Sequence, residues 1–510
     1  MIYKDLAVKD FNEYKKASIK HYNKKNYSNA MHSIEMACRS AYHLNYCFSD
    51  SDIENLLSMI SKIILDNIIF TSKQKNYVFY DSLAIDNRGL SQQYIRALIS
   101  YGVNILYIIQ SKNDLNNSKD IIKELNNYNK AEIFIVPKNN KKIDKVKMIY
   151  EKVVKFKPER AFLHMMPWDV IGVVVWNAFP NLKRYLINFT DHAFWIGISC
   201  ADYFLEFREY GYNMSKYYRG IDVSKLLLQP YYPIITDAKF LGLPNIEKNT
   251  IKLFSGGYLY KIYGENGIFM EMIKQILMKN PNTVLFFAGD GNRKPLNDFI
   301  KKNNLQNRWI LLGNRRDIVS ILLKIDIYIG TYPLAGGLMT HLAAYCKKPI
   351  VAYTDEDLPC NQLEDLFEKI PFNIKLTYTD KKKFFDEIDL LINNTVYRVK
   401  KGALIFNYLN TPQNFNANLN KLLDDGQCKL DVRDIKIDTE RFCKLYFDTE
   451  NKFLHLYPRL MLNKIMLRKN PIRYLLNFLK YFYFYDKNLL KKTFLRKANK
   501  LWRKKYENNG

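Results

Sequence analysis

An alternation of strand, loop and helix, repeated through two long stretches, constrains the fold of this chain more than any other feature. Apolar runs at 77–80, 103–109, 131–136, 160–164 and 184–189 form the first stretch. Runs at 251–254, 283–288, 309–312, 326–329 and 349–353 form the second. Helical patterns separate the runs, and such alternation predicts parallel sheets with helices on both faces. We therefore expect an α/β fold with two Rossmann-like, doubly wound domains in tandem.

The length of 510 residues exceeds what one hydrophobic core usually holds, which also favours two large domains. We assign 1–70 to a helical, tetratricopeptide-like segment, 71–235 and 250–424 to the two Rossmann-like domains, and 425–510 to a basic, aromatic, helical tail. The tetratricopeptide-like spacing occurs once, and one unit cannot bury its own apolar face. We expect this segment to pack on the domain that follows.

The charge balance points to an anionic partner. Lys and Arg number 78 against 51 Asp and Glu, a net charge of +27, which attracts phosphates, nucleic acid or acidic lipid. A coding bias toward Asn, Lys, Ile and Tyr is an alternative source of the excess. The seven cysteines form no CxxC pair, and the first residues have no apolar signal region. The apolar stretch 161–180 is interrupted by polar residues, so we predict a cytoplasmic chain without a transmembrane helix.

Two glycine-containing loops follow strands of the second predicted domain. Gly256 and Gly257 end its first strand, shortly before Lys261, and a Pro- and Gly-containing loop opens a helix at 338–346. Glycine lets the backbone approach a ligand, and helix N-termini bind phosphate groups. The predicted diphosphate-binding residues are Gly256, Gly257, Lys261, Pro333, Gly336, Gly337, Leu338, Met339 and Thr340. The alternative is that Gly336 and Gly337 form only a tight turn.

The order of these motifs resembles the donor-binding half of the GT-B glycosyltransferases. It is most similar to the family of O-GlcNAc transferase and the bacterial adhesin N-glycosyltransferases. The resemblance covers about 251–353 and rests on 259–262, 280–285, the strand at Asp326, 331–333, the Gly336 turn and 349–351. It implies a GT-B fold preceded by helices and a nucleotide-sugar donor. It also implies that Lys261 binds the donor diphosphate and that Gly336 lies at the phosphate-binding helix.

The sequence departs from that family after Gly336. Gly337, Leu338 and Met339 stand where the family has polar residues, and Leu342 stands where it has a ribose-binding aspartate. Ribose recognition must therefore come from elsewhere. The candidates are the acidic residues that follow the strand at 349–353, namely Asp355, Glu356 and Asp357.

An acid and an imidazole follow the last strand of the first stretch. Inverting sugar transfer needs a base that takes the acceptor hydroxyl proton, and His192 suits that role with Asp191 to orient it. The alternative is that Asp191 is the N-cap of a following helix. Asp86 is a second candidate base, because the equivalent loop lines the acceptor side in GT-B folds. Three roles are open for the nearby charges of Glu206, Arg208, Glu209 and Arg219. They bind the acceptor, they close the cleft, or they form a solvated surface of ion pairs.

Two Asp-x-Asp patterns raise the question of a metal ion, because paired carboxylates hold Mg²⁺ or Mn²⁺ in other transferases. Asp50 to Asp52 stands at a helix start and is predicted to be an N-cap. Asp355 to Asp357 comes after two complete sheet units. We expect neither Mg²⁺ nor Mn²⁺ and no other cofactor.

Three alternatives account for the basic, aromatic tail. It stacks on nucleic acid, it lies on an anionic membrane surface, or its aromatic residues pack on the core. The sequence favours a cytoplasmic glycosyltransferase, acting at the inner face of the membrane on a surface glycan or glycolipid with a UDP-sugar donor. A protein acceptor, through Asn or Ser/Thr, is one alternative. A non-catalytic module that binds protein or nucleic acid is the other, although nucleic acid is not an expected partner.

Overall fold

The computed structural model describes residues 2–451 except 87–89, 111–113, 138–140, 237, 368–369, 372 and 427–431, together with 462, 466–467 and 471–485. Two parallel sheets follow one another along the chain, which confirms the predicted α/β architecture. The end of the Asp86 loop at 87–89 and the basic runs after residue 485 lie outside the described residues.

Three helices precede the first sheet. They are α1 (Ile2–Asn23), α2 (Tyr27–Leu44) and α3 (Ser51–Ile64). Asp50 caps α3, because its side chain accepts a hydrogen bond from the amide of Ile53 at 3.0 Å, and the predicted N-cap is confirmed. Ile34 of α2 and Leu57 of α3 are fully buried in a core that they share with the first sheet. The helices thus bury their apolar faces on the unit that follows them.

The first sheet has seven parallel strands in the order β3-β2-β1-β4-β5-β6-β7. The strands are β1 (Asn76–Asp81), β2 (Asn104–Ile109), β3 (Ala131–Ile135), β4 (Arg160–His164), β5 (Lys183–Ile187), β6 (Tyr203–Glu206) and β7 (Leu226–Leu228). The helices between them are α4 (Ser91–Ser100), α5 (Lys119–Asn126), α6 (Lys142–Phe156), α7 (Val170–Trp176) and α8 (Glu209–Tyr218). In β1, Val78 and Tyr80 are buried in the core on one face of the sheet, and Phe79 is buried in the core on the other face. This alternation is expected for a strand that is covered on both faces.

The second sheet has six parallel strands in the order β10-β9-β8-β11-β12-β13. Its strands are β8 (Ile251–Gly256), β9 (Thr283–Ala288), β10 (Trp309–Gly313), β11 (Ile327–Ile329), β12 (Ile350–Tyr353) and β13 (Thr377–Tyr378). Its helices are α9 (Ile268–Lys279), α10 (Lys294–Lys302), α11 (Ile318–Leu323), α12 (Gly337–Tyr345), α13 (Lys381–Asn393) and α14 (Thr395–Phe406). A 3₁₀ turn, Leu259–Ile262, follows β8.

The chain returns to the first unit after the second sheet. The next helix, α15 (Pro412–Asp425), buries Phe415 and Leu419 in the core of the first sheet. The helix α16 (Thr439–Tyr446) follows, then a short π-helical turn, Phe447–Asn451, and α17 (Pro471–Tyr485). None of the helices in the described part of the chain is both long enough and apolar enough to cross a bilayer.

The ten strands predicted from sequence all occur, with ends that differ by at most about two residues. The strands that sequence reasoning missed are Tyr203–Glu206, Leu226–Leu228 and Thr377–Tyr378. These strands have four, three and two residues, which is too short for a periodic pattern to appear in the sequence.

Candidate active site

Each sheet reverses its strand order once, between β1 and β4 in the first and between β8 and β11 in the second. Ligands of such sheets bind outside the carboxyl ends of the strands near that reversal. The two units meet on this side, where Arg208 donates from Nη1 to the carbonyl oxygen of Cys360 at 2.8 Å. The rings of Tyr231 and His341 also pack across the units, with centroids 4.5 Å apart.

The predicted diphosphate-binding residues of the second unit converge at the N-terminus of α12. Lys261 donates from Nζ to the carbonyl oxygen of Ala335 at 3.0 Å, next to Gly336, the N-cap of α12. A Cβ on Gly336 would lie 3.9 Å from the carbonyl oxygen of Gly256, so the two glycine turns are neighbours. The first amides of a helix have no partner within it and carry its positive end. We call this group the donor cradle, after the nucleotide-sugar donor that the sequence predicts for it: Gly256, Gly257, Lys261, Gly336 and Gly337.

Close backbone contacts require glycine in the turn after β8. A Cβ on Gly256 would lie 2.7 Å from the carbonyl oxygen of Ala288, and Gly257 has a φ of +143°. A Cβ on Gly289 would lie 1.9 Å from the carbonyl oxygen of Gly257. Glycine here therefore has a structural cause, whether or not a ligand binds.

Four other predicted donor residues flank the donor cradle: Pro333, Leu338, Met339 and Thr340. The carbonyl oxygen of Pro333 accepts a hydrogen bond from Asn361 at 2.6 Å, and Met339 packs near Gly256. Leu338 is exposed. The Thr340 hydroxyl is buried and donates to the carbonyl oxygen of Gly336 at 3.0 Å, so it is already bonded within the first turn of α12.

The acidic residues after β12 differ in their surroundings. Asp355 accepts hydrogen bonds from the Tyr332 hydroxyl at 2.6 Å and from Arg441 Nη2 at 3.1 Å. Glu356 and Asp357 are exposed. Ribose recognition by Asp355 or Glu356 remains a prediction.

His192 lies in a turn after β5. Its Nδ1 is 3.0 Å from Oδ1 of Asp191, and because a carboxylate can only accept, Nδ1 carries a proton. In the neutral imidazole, Nε2 is then the acceptor. The segment 191–197 contains no helix, so the alternative that Asp191 caps a following helix is wrong. The turn instead presents an oriented imidazole on the cleft side of the first sheet.

Buried charges hold this turn in place. Arg219 donates to the carbonyl oxygens of Asp191 at 2.8 Å and of Ala193 at 2.7 Å, and Arg208 donates to Oδ2 of Asp191. Burial alone would raise the pKa of Asp191, but Arg208 and the hydrogen bond to His192 hold the pKa of that carboxyl well below its usual value. A solvated surface, one alternative for this cluster, is wrong for Arg208 and Arg219, whose side chains are largely buried.

Asp86, the second candidate base, lies in the loop after β1, and its side chain reaches the first turn of α5. Its carboxylate accepts from the amides of Asp120 at 2.9 Å and Ile121 at 3.0 Å. Partial burial raises the pKa of Asp86 even though these amides oppose the shift. Both carboxylate oxygens of Asp86 are thus engaged at a helix N-terminus.

Sequence reasoning missed two groups at this edge of the first sheet. The Tyr446 hydroxyl of α16 lies 2.8 Å from Nε2 of His192 and donates to it when the imidazole is neutral. Asp81 and His164 end β1 and β4 and form a fully buried pair, with Nδ1 of His164 2.9 Å from both Oδ1 of Asp81 and Oγ of Ser91. The position of His164 at a predicted strand end was a usable signal, but nothing in the sequence links His192 to a tyrosine 254 residues away.

Within the described ranges, no group of three or more His, Cys, Asp or Glu side chains is arranged to hold a metal ion. Arg208 and Lys261 are cations on this side of the two units, and Arg208 is paired with Asp191.

The sequence matches no family model. It also matches no curated protein. Solved structures do match. A point mutant of the Thermobaculum terrenum O-GlcNAc transferase superposes with a TM-score of 0.51 at 12% identity, covering 84% of this chain and 85% of that one. TarM superposes with a TM-score of 0.51 at 10% identity, covering 69% of this chain and 99% of that one.

Anabaena HepE, solved in complex with UDP, gives a TM-score of 0.50 at 12% identity, covering 69% of this chain and 100% of that one. Identities this low establish the fold alone. The two parallel sheets, the helices before them and these superpositions together show that the chain has the GT-B glycosyltransferase fold.

Proposed function

We propose that this protein is a glycosyltransferase that moves a sugar from a nucleoside-diphosphate donor to a hydroxyl acceptor with inversion. The GT-B fold supports this proposal, and the HepE complex supports UDP as the nucleotide. The observation that carries it is the donor cradle, where Lys261 and the N-terminus of α12 offer positive charge to a diphosphate.

In the proposed reaction, the acceptor hydroxyl attacks the anomeric carbon of the donor sugar. Its proton moves to Nε2 of His192, while the bond from the anomeric carbon to the diphosphate breaks. Asp191 keeps the imidazole in the tautomer that can accept and stabilises the imidazolium that forms. Lys261 and the first amides of α12 stabilise the departing diphosphate, which is where negative charge develops. These groups supply the charge without Mg²⁺ or Mn²⁺.

We propose a surface glycan or glycolipid as the acceptor. The helix α17 supports action at a membrane surface, because Ile472, Leu475, Leu476 and Leu479 are exposed on it. Arg473, on the same helix, is bonded to the buried carboxylate of Asp10 at 2.7 Å and fixes the helix on α1. A protein acceptor is the second candidate, favoured by the helices α1 to α3 and by the wider coverage of the O-GlcNAc transferase match.

A hydrolysis screen tests the proposal. Purified protein is incubated with a panel of nucleotide sugars, and release of the nucleoside diphosphate is measured. We expect release from at least one UDP-sugar, and we expect His192→Ala to lower the rate about 100-fold or more while UDP still binds. A wild-type rate in His192→Ala would reassign the base to Asp86, and no release from any donor would count against an enzyme.

A further inference from the structure

The helix α16 covers the imidazole that faces the cleft. The Tyr446 hydroxyl is 2.8 Å from Nε2 of His192, and the two rings lie with centroids 5.0 Å apart. Phe442, one turn earlier, packs edge-on to the same imidazole at 6.2 Å. The His192 side chain keeps 27% of its surface exposed. Thus a segment from the far end of the chain occupies the accepting side of His192.

The same helix is fastened to the second unit. Arg441 forms ion pairs with Glu265 at 2.9 Å and with Asp355 at 3.1 Å. Leu445 and Tyr446 share an apolar cluster with Leu334, which lies in the loop before α12. A Cβ on Gly264 would lie 2.1 Å from the Thr449 side chain, so the π-helical turn after α16 also packs on the loop after Lys261. These contacts hold α16 between His192 and the donor cradle.

A catalytic base must lie within hydrogen-bond distance of the proton that it takes. Neutral imidazole has one acceptor nitrogen, and in this structure the Tyr446 hydroxyl already donates to it. An acceptor hydroxyl therefore cannot reach Nε2 while Tyr446 is in place. We propose that α16 is an occluding latch: Tyr446 occupies the position of the acceptor hydroxyl on His192, and α16 must withdraw before transfer. This role rests on the proposed function, because it takes His192 as the base.

The contacts that fasten the latch suit reversible opening. Arg441, Glu265 and Asp355 are each about one quarter exposed, and ion pairs at such positions contribute little to stability. Phe442, Leu445 and Tyr446 of α16 are buried in an apolar cluster that is separate from both sheet cores. Acceptor binding that displaces α16 must therefore expose this cluster, and it leaves both sheet cores intact. The latch restricts the access of water to Nε2 of His192 until an acceptor arrives, which slows hydrolysis of the donor without abolishing it.

Chemical modification of the full chain tests the latch without a substrate. Diethylpyrocarbonate acylates unprotonated imidazole nitrogen, and peptide mass spectrometry reports the rate at each histidine. We expect Tyr446→Phe and Arg441→Gln each to raise the His192 rate about threefold or more, because one removes the hydroxyl and the other loosens α16. Tyr345→Phe, at the exposed end of α12, is the matched control and should leave the rate unchanged.

Buried His341 reports on the fold in the same spectra. A rise confined to His192 supports the latch. A His192 rate equal to that of the wild type in both variants, or a rise shared equally by His341, overturns it.

A second measurement separates the latch from the proposed reaction. With UDP-glucose as the probe and no acceptor, we expect Tyr446→Phe to release UDP about threefold faster than the wild type, because water then reaches Nε2. Faster labelling of His192 with no UDP release from any protein would support the latch and contradict the proposed reaction with this donor. UDP release with unchanged labelling would keep the reaction and reject the latch.

Discussion

The turn that carries His192 and the donor cradle opposite it are formed by different kinds of groups. Buried charges hold the turn. Arg208 donates to the carboxylate of Asp191, and Arg219 donates to the carbonyl oxygens of Asp191 and Ala193. The donor cradle is formed by glycine backbone and the single cation of Lys261. Substitution of the buried charges in the turn should therefore act first on folding, whereas substitution of Lys261 in the donor cradle should act first on binding. Each prediction below tests one side of this difference.

The largest effect is expected in the turn, from Asp191→Asn. The substitution keeps the shape of the side chain but leaves Arg208 buried without its nearest counter-charge. Breaking a buried ion pair in this way lowers the free energy of unfolding by about 3–5 kcal/mol. Urea denaturation, followed by circular dichroism, measures it.

Asp52→Asn is the matched control for this prediction. Asp52 is paired with Lys15, but its side chain is 77% exposed, so the unfolding midpoint should not change. If both variants unfold at the wild-type midpoint, buried charges do not hold the turn.

A pH effect of intermediate size is expected at α12, which begins in the donor cradle. Burial lowers the pKa of His341 to about 4, although its hydrogen bond to the carbonyl oxygen of Leu366 opposes the shift. The unfolded chain takes up a proton below about pH 6.5 and the folded chain does not until about pH 4. Stability therefore falls by about 1.4 kcal/mol per pH unit as the pH drops through this window.

His341→Gln removes the titrating group and keeps a side-chain donor. The difference in free energy of unfolding between wild type and variant, measured by urea denaturation at pH 7, 6 and 5, should shrink or reverse as the pH falls. A difference that is constant with pH would mean that His341 has the same pKa in the folded and the unfolded chain.

The smallest effect concerns two glycines of the donor cradle. Gly256→Ala places a methyl group 2.7 Å from a backbone oxygen and should lower stability by about 1–3 kcal/mol. Gly336→Ala meets nothing closer than 3.9 Å and should stay within about 0.5 kcal/mol of the wild type. Thermal unfolding of the pair distinguishes them. Equal losses would show that the two turns are equally crowded and that the donor cradle is not open at α12.

Features that depend on the local sequence pattern could be predicted. Buried parallel strands are continuous apolar runs, and the lysine and glycines of the donor cradle follow strands that end at one edge of a sheet, so their convergence follows from topology. The pairing of Asp191 with His192 was likewise predictable, because the two residues are adjacent.

Contacts between segments that are far apart in the chain could not be predicted from the sequence. Tyr446 reaches His192 across 254 residues, and α15 packs on the first sheet although it follows the second. The charges at Arg208 and Arg219 have the composition of a surface cluster, but Arg219 is buried against the carbonyl groups of the His192 turn and Arg208 lies between Asp191 and Cys360. The helix-capping role of Asp86 was also hidden, because it depends on where α5 begins in space.

Titration calorimetry with UDP tests the central claim, that the donor cradle binds a nucleoside diphosphate. We expect the wild type to bind UDP, and we expect Lys261→Met to bind it at least about tenfold more weakly with an unchanged unfolding midpoint. Lys274→Met on α9 is the matched control and should bind UDP as the wild type does. No binding by the wild type, or equal affinity in Lys261→Met, would contradict the account.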